Sequence, residues 1–181
     1  GPTYYVWTDW NHYHSRNRGA VVSDTLIAFS GKRSMRFDVL PGDEKFVESD
    51  AIVLNQDVPK VVEIGVMVRA DRIRLIDVRA INELGDDLPT ARPQQPEYSA
   101  GGSQLYGSGT FGWRYIRKFV SPRNDQPIKR LRVRLCARGF NAHTLDDGGT
   151  RSFCVQSGTV WWDDLRVIER ESTPAELAAR G

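Results

Sequence analysis

Apolar and polar residues alternate one by one along much of this chain. Arg33, Met35, Phe37 and Val39 interleave with Ser34, Arg36 and Asp38. Val62, Ile64, Val66 and Val68 interleave with Glu63, Gly65, Met67 and Arg69. Leu131, Val133, Leu135 and Ala137 alternate with Arg130, Arg132, Arg134 and Cys136, and Trp161, Asp163, Leu165 and Val167 with Trp162, Asp164 and Arg166. A period of two is the mark of a strand with one buried and one polar face, as in antiparallel sheets. Further strands are expected at Thr25–Phe29, Ser49–Leu54, Arg72–Ile81 and Trp113–Val120. Turn residues separate them: Pro41-Gly42, Asp57-Val58-Pro59, and Asn124-Asp125 with Pro127. Eight or more strands without intervening helices predict an all-β fold, a two-sheet antiparallel β-sandwich of the jelly-roll kind.

Two segments break the alternation. Residues 83–112 are rich in Gly and Pro and carry Tyr98 and Tyr106, and residues 138–158 carry Asp146-Asp147-Gly148-Gly149. Long loops on a compact domain are commonly functional or disordered. Thr173-Pro174-Ala175-Glu176 reads as a capping box with Pro at the first helical position. The expected division is a sandwich over 1–170, then a linker or short C-terminal helix over 171–181.

Composition narrows the class further. The chain has 181 residues, 40% hydrophobic and 27% charged, which suits one globular domain. No apolar run approaches the roughly 18 residues of a membrane span. Gly1-Pro2 reads as a remnant of tag cleavage, so a domain excised from a longer protein is expected. Of the 25 basic residues, 20 are Arg and 5 Lys, by direct count of the sequence. The planar guanidinium suits carboxylate, sulfate or phosphate, although Arg-favouring codon usage would give the same bias. Neither a membrane nor a nucleic-acid partner is expected.

Three stretches resemble a known family. Gly31-Lys32-Arg33-Ser34-Met35-Arg36-Phe37 resembles an early strand of jelly-roll carbohydrate-binding modules of the four, nine and twenty-two type, galactose-binding-like β-sandwiches. Gly112-Trp113-Arg114-Tyr115-Ile116 resembles their single-tryptophan strand. Gly158-Thr159-Val160-Trp161-Trp162-Asp163-Asp164-Leu165-Arg166-Val167 resembles their last strand. The resemblance spans about residues 25–169. It implies a secreted, extracellular or periplasmic domain attached to a polysaccharide-active enzyme, binding a polysaccharide or oligosaccharide without cleaving it. It also implies a structural calcium ion near the end of the last strand.

The candidate chemistry follows from placement. Arg130, Arg132 and Arg134 point one way from a single strand, about 7 Å apart. Like charges in a row repel, so carboxylates or a ligand must face them. Either Glu63, Asp38 and Asp164 make this a solvated, ion-paired outer face, or the row meets an acidic or sulfated glycan. Trp162, Tyr106 and Tyr98 are the aromatics placed to stack on sugar rings, while Trp113 and Trp161 are expected in the core. Asp163 shares the parity of Leu165 and Val167, which directs it inward, where a carboxylate needs a partner. With Asp164 it is a candidate calcium ligand; the alternative is a hydrogen-bonded Asp tying down a loop or pairing with Arg.

Cys136 and Cys154 would close the 138–158 loop as a disulfide, or remain thiols. His12 and His14 share a strand face but suit an exposed segment better than a metal site. No nucleophile elbow, P-loop or His-Glu-x-x-His occurs, so no catalytic residue is assigned. A glycosidase carboxylate pair leaves no local signature. The leading reading is a non-catalytic carbohydrate-binding module. A structural interdomain sandwich is the alternative, and a jelly-roll lyase or hydrolase a third.

Overall fold

In the computed structural model of the chain, residues 3–7, 13–15, 21–91, 109–140 and 157–170 are described. They form ten strands: β1 Thr3–Trp7, β2 Tyr13–Ser15, β3 Val21–Asp24, β4 Ser34–Val39, β5 Glu44–Ser49, β6 Ile52–Val53, β7 Val61–Asn82, β8 Gly109–Val120, β9 Arg130–Gly139 and β10 Gly158–Arg170. The all-β expectation holds, and every pairing is antiparallel. Among the described residues no helix is long and apolar enough to cross a membrane.

The long strand β7 organises the molecule. Its first half lies between β8 and β10, and its second half runs beside β9. Between the halves the pairing slips, and Arg72 adopts a left-handed φ of 56°. Gly158 sits against this corner, where an added Cβ would come within 2.2 Å of the Arg72 carbonyl oxygen. The single path β2-β5-β9-β7-β10-β4-β3 thus curls into two layers. The first layer holds β8, the start of β7, β10, β4 and β3, with β1 on β10; the second holds the end of β7, β9, β5, β2 and β6.

One apolar core joins the layers. Met35, Phe37, Val39, Ile64, Val66 and Val68 enter from the first layer, and Ile76, Val78, Leu131, Val133 and Leu135 from the second. Full burial of such a side chain stabilises by about 1.5–3 kcal/mol.

Three sequence expectations change. The stretch Thr25–Phe29 is a loop, because the Asp24 carboxylate accepts the Leu26 and Ile27 N–H groups at 2.8 and 3.1 Å and curls the chain. The stretch Ser49–Leu54 splits, because Ser49 Oγ takes the Val133 N–H at 2.9 Å in place of a strand partner, and pairing resumes only at Ile52. The third change concerns β10, where the bulge at Asp163–Asp164 bears on the site.

Candidate functional site

The strand β9 shows the expected alternation. Leu131, Val133 and Leu135 are buried, so Arg130, Arg132 and Arg134 share the outer face of the second layer. They line a groove of about 400 Å³ with Glu48, Asn82 and Glu83. Each wall comes from a neighbouring strand: Glu48 lies opposite Arg134 on β5, and Ile81 opposite Arg132 on β7.

The three arginines differ in their environment. Arg134 is ion-paired to Glu48, with Nε 2.9 Å from Oε1, and stacks over Phe46 at 4.7 Å from the ring centre. Stacked and paired, it is a fixed wall. Arg132 reaches the Ser49 carbonyl at a long 3.4 Å, and Arg130 has no carboxylate partner among the described residues. Both are exposed. The carboxylates expected opposite the row lie elsewhere: Glu63 pairs with Arg117 and Arg170, Asp38 with Arg36, and Asp164 accepts the Ser30 hydroxyl at 2.5 Å. Glu48 is the residue the sequence reading missed. Its signal was the alternation of Glu44, Phe46 and Glu48 with Lys45 and Val47.

Further along the same face, Arg138 pairs with Glu44 at 2.8 Å and Arg79 with Asp87. Cys136 lies between them and is buried. Burial, with the Asp77 carboxylate beside it, pushes this thiol up to about 12, so it stays protonated and a poor nucleophile. Cys136 is a free thiol, and its expected partner Cys154 lies outside the described residues. So do Tyr98 and Tyr106, and the 171–181 segment.

Trp162 is not a stacking platform. It is fully buried, 5.6 Å from the Phe37 ring centre, in the core. Trp161, expected in the core, instead lies half-buried on the outer face with Arg69 over its ring, and Trp113 is also half-buried, against Phe29. The bulge explains the exchange. Asp163 pairs with Met67 and Arg166 with Gly65, so β10 spends one extra residue there, with Asp164 at a left-handed φ of 47°. An extra residue inverts the face of everything before it relative to everything after it. Trp162 and Leu165 therefore point the same way.

Asp163 thus faces outward with Met67, yet it is fully buried, because the loop before β4 covers it. Its Oδ2 accepts the Phe29 and Ser30 N–H groups at 2.9 and 3.1 Å, and its Oδ1 accepts Asp164 N–H at 2.8 Å. This is the loop-tying alternative. Calcium needs six to eight oxygen ligands. Here both carboxylate oxygens face N–H donors, and no group of three or more His, Cys, Asp or Glu assembles among the described residues. Those residues do not fit calcium.

No family model matches the chain, and no curated protein is similar to it in sequence. Solved structures do resemble its fold. The CBM22-1 xylan-binding domain from Paenibacillus barcinonensis Xyn10C aligns over 95% of this chain and 95% of its own, with TM-score 0.51 and 12% identity. The CBM22-2 xylan-binding domain of the same protein aligns over 89% and 93%, with TM-score 0.51 and 12% identity. The enzymatically active domain of bacteriophage CBA120 tailspike protein 4 aligns over 88% of this chain but 19% of its own, with TM-score 0.52 and 7% identity. At such identities the likeness is one of fold: this chain has the β-sandwich architecture that these carbohydrate-binding modules share.

Proposed function

We propose that this domain is a non-catalytic carbohydrate-binding module that holds an acidic polysaccharide along the groove of Arg130, Arg132 and Arg134. One observation carries the reading: Arg130 and Arg132 are exposed on one face, line a groove of about 400 Å³ whose guanidinium groups outnumber its carboxylates Glu48 and Glu83, and are ion-paired to no carboxylate among the described residues. Guanidinium groups so placed suit carboxylates or sulfates spaced along a chain. Arg134, held by Glu48 and Phe46, forms a rigid end wall that needs no ordering on binding. The likeness of fold to xylan-binding domains supports a glycan as ligand. In this reading the domain is secreted and keeps a neighbouring polysaccharide-active enzyme near its substrate.

The test is a calorimetric titration of the wild type and Arg132→Ala with polygalacturonate and with a neutral β-glucan, at low and high salt. Polygalacturonate should bind more tightly, the affinity should fall as salt rises, and Arg132→Ala should weaken it about tenfold. Equal affinity for both polymers with no salt dependence would overturn the reading.

A further inference from the structure

The groove does not end at Arg130. A second hollow of about 190 Å³ opens beyond it, and Asn82, Glu83 and Arg130 line both. Small-ligand sites commonly span about 300–1,000 Å³. The second hollow is too small to be a site alone, but it extends the first into a trough.

Both walls of the second hollow are held in place. On one side, Asn82 Oδ1 accepts the Leu84 and Asp86 N–H groups, both at 2.9 Å. Asn82 N–H donates to the Asp86 carbonyl at 2.9 Å and Gly85 N–H to the Asn82 carbonyl at 3.0 Å. Gly85, at φ 88°, supplies the left-handed residue this turn needs. On the other side, the single turn Arg123–Asp125 places two successive non-glycine residues, Asn124 and Asp125, at φ 53° and 54°. Such backbone persists only where its surroundings impose it, and it gathers at ligand clamps. Arg123 Nη1 donates to the Asp87 carbonyl at 3.3 Å and ties the two walls together.

The lining suits the same class of ligand as the first hollow. Arg123, Asn124, Gln126 and Lys129 are exposed. Gln126 and Asn124 offer amides that both donate to and accept from hydroxyls. Arg123, Lys129 and Arg130, between the hollows, outnumber the carboxylates Glu83 and Asp86 on the same lining, although Lys129 Nζ also donates to the Gln56 carbonyl at 2.9 Å. Leu84, 82% exposed on the rim, presents an apolar surface of the kind the C–H face of a sugar ring covers.

We infer that the two hollows form one elongated groove, and that the second is a further subsite taking the next residues of a linear acidic polysaccharide. This rests on the glycan reading above. It makes affinity depend on chain length through residues outside the arginine row.

The test uses galacturonate oligomers, dimer and octamer, titrated into the wild type, Arg132→Ala and the double variant Arg123→Ala/Gln126→Ala. Both positions of the double variant are exposed and the one bond lost, from Arg123 to the Asp87 carbonyl, is long, so its melting temperature should stay within about 2 °C of the wild type. The wild type should bind the octamer about tenfold more tightly than the dimer. The double variant should keep the dimer affinity and lose the gain on lengthening. If it keeps the full gain while Arg132→Ala weakens both oligomers, the groove ends at Arg130: this inference fails and the glycan reading stands. If neither oligomer binds the wild type, both fail.

Discussion

The outer faces of the two layers use the same residue types to different ends. On the first layer, Glu63 is buried between Arg117 and Arg170, at 3.2 and 3.1 Å, and both guanidinium groups lie over Phe119. Asp24 receives the Trp161 indole N–H at 3.0 Å and Arg36 at 3.1 Å, and Arg69 covers Trp161. On the second layer, Arg134, Arg138 and Arg79 are each ion-paired to a carboxylate, whereas Arg130 and Arg132, with Glu83 on the same groove, form no ion pair among the described residues. Arginine beside aromatics is therefore no signature of a site by itself. What distinguishes the open end is an excess of guanidinium groups over carboxylates on one stretch of sheet, next to a concavity.

The comparison can be broken first at Trp162, expected as an outward stacking platform and found in the core. Trp162→Ala removes a fully buried side chain and should cost about 3–5 kcal/mol. For a chain of this length that lowers the melting temperature by roughly 10 °C, read by circular dichroism. Arg132→Ala on the open face should stay within about 0.5 kcal/mol. A Trp162→Ala protein that melts like the wild type but loses glycan affinity would place the tryptophan outside.

A smaller effect is expected on the closed face. Glu63→Gln deprives Arg117 and Arg170 of their shared charge. Breaking a fully buried pair costs about 3–5 kcal/mol, but these two arginines are 30% and 45% exposed and can rehydrate. A loss of roughly 2 kcal/mol by urea unfolding is expected. No measurable loss would mean that the network is as solvated as the open face.

The smallest effect lies in acid, where one carboxylate from each face shifts in opposite directions. Burial pushes Asp24 up, but hydrogen bonds from Trp161, Leu26, Ile27 and Arg36 outweigh it and hold the group below its ordinary value. Folding thus favours its ionised form. The stability it adds is present above about pH 4 and is lost as pH falls through the lower folded value. For Asp77, burial prevails over the pull of Lys118, 3.9 Å away, and raises it. Folding disfavours that charge, so Asp77 costs stability at neutral pH, and the cost fades as pH falls through its raised value. In urea midpoints measured against pH, Asp24→Asn should flatten the acid limb. Asp77→Asn should remove the relative gain on mild acidification, whatever it does to absolute stability through Lys118. Parallel curves for both variants would contradict the assignment.

Much of this fold was legible because strand alternation is a local signal. The faces of β4, β9 and the start of β7 follow from residue parity alone. The face of Trp162 did not, because one extra residue at Asp163–Asp164 inverts the parity, and no residue type there announces a bulge. The loop after Asp24 was misread for a similar reason: Leu26, Ile27 and Phe29 have strand chemistry, but a side-chain oxygen captured their backbone. The arginine row was visible as a candidate site. Its neutralising partner was not, since Glu48 and Arg134 stand 86 positions apart and meet only through strand pairing. The second hollow was less accessible still, being built from two turns whose proximity depends on the curl of the sheet.

The long strand has a consequence for how the chain is made. Every strand that pairs with β7 follows it in sequence: β8, β9 and β10. During synthesis, Val61–Asn82 leaves the ribosome with its Val and Ile rows uncovered and both edges open. Its first half waits until residue 170 has been added before β10 can close along it. At roughly 5–20 residues per second this is an interval of several seconds. An apolar strand with free edges is a template for pairing with other chains. Nascent copies are thus most vulnerable to aggregation between the emergence of β7 and that of β10, a window that slower elongation would lengthen and a bound chaperone would cover.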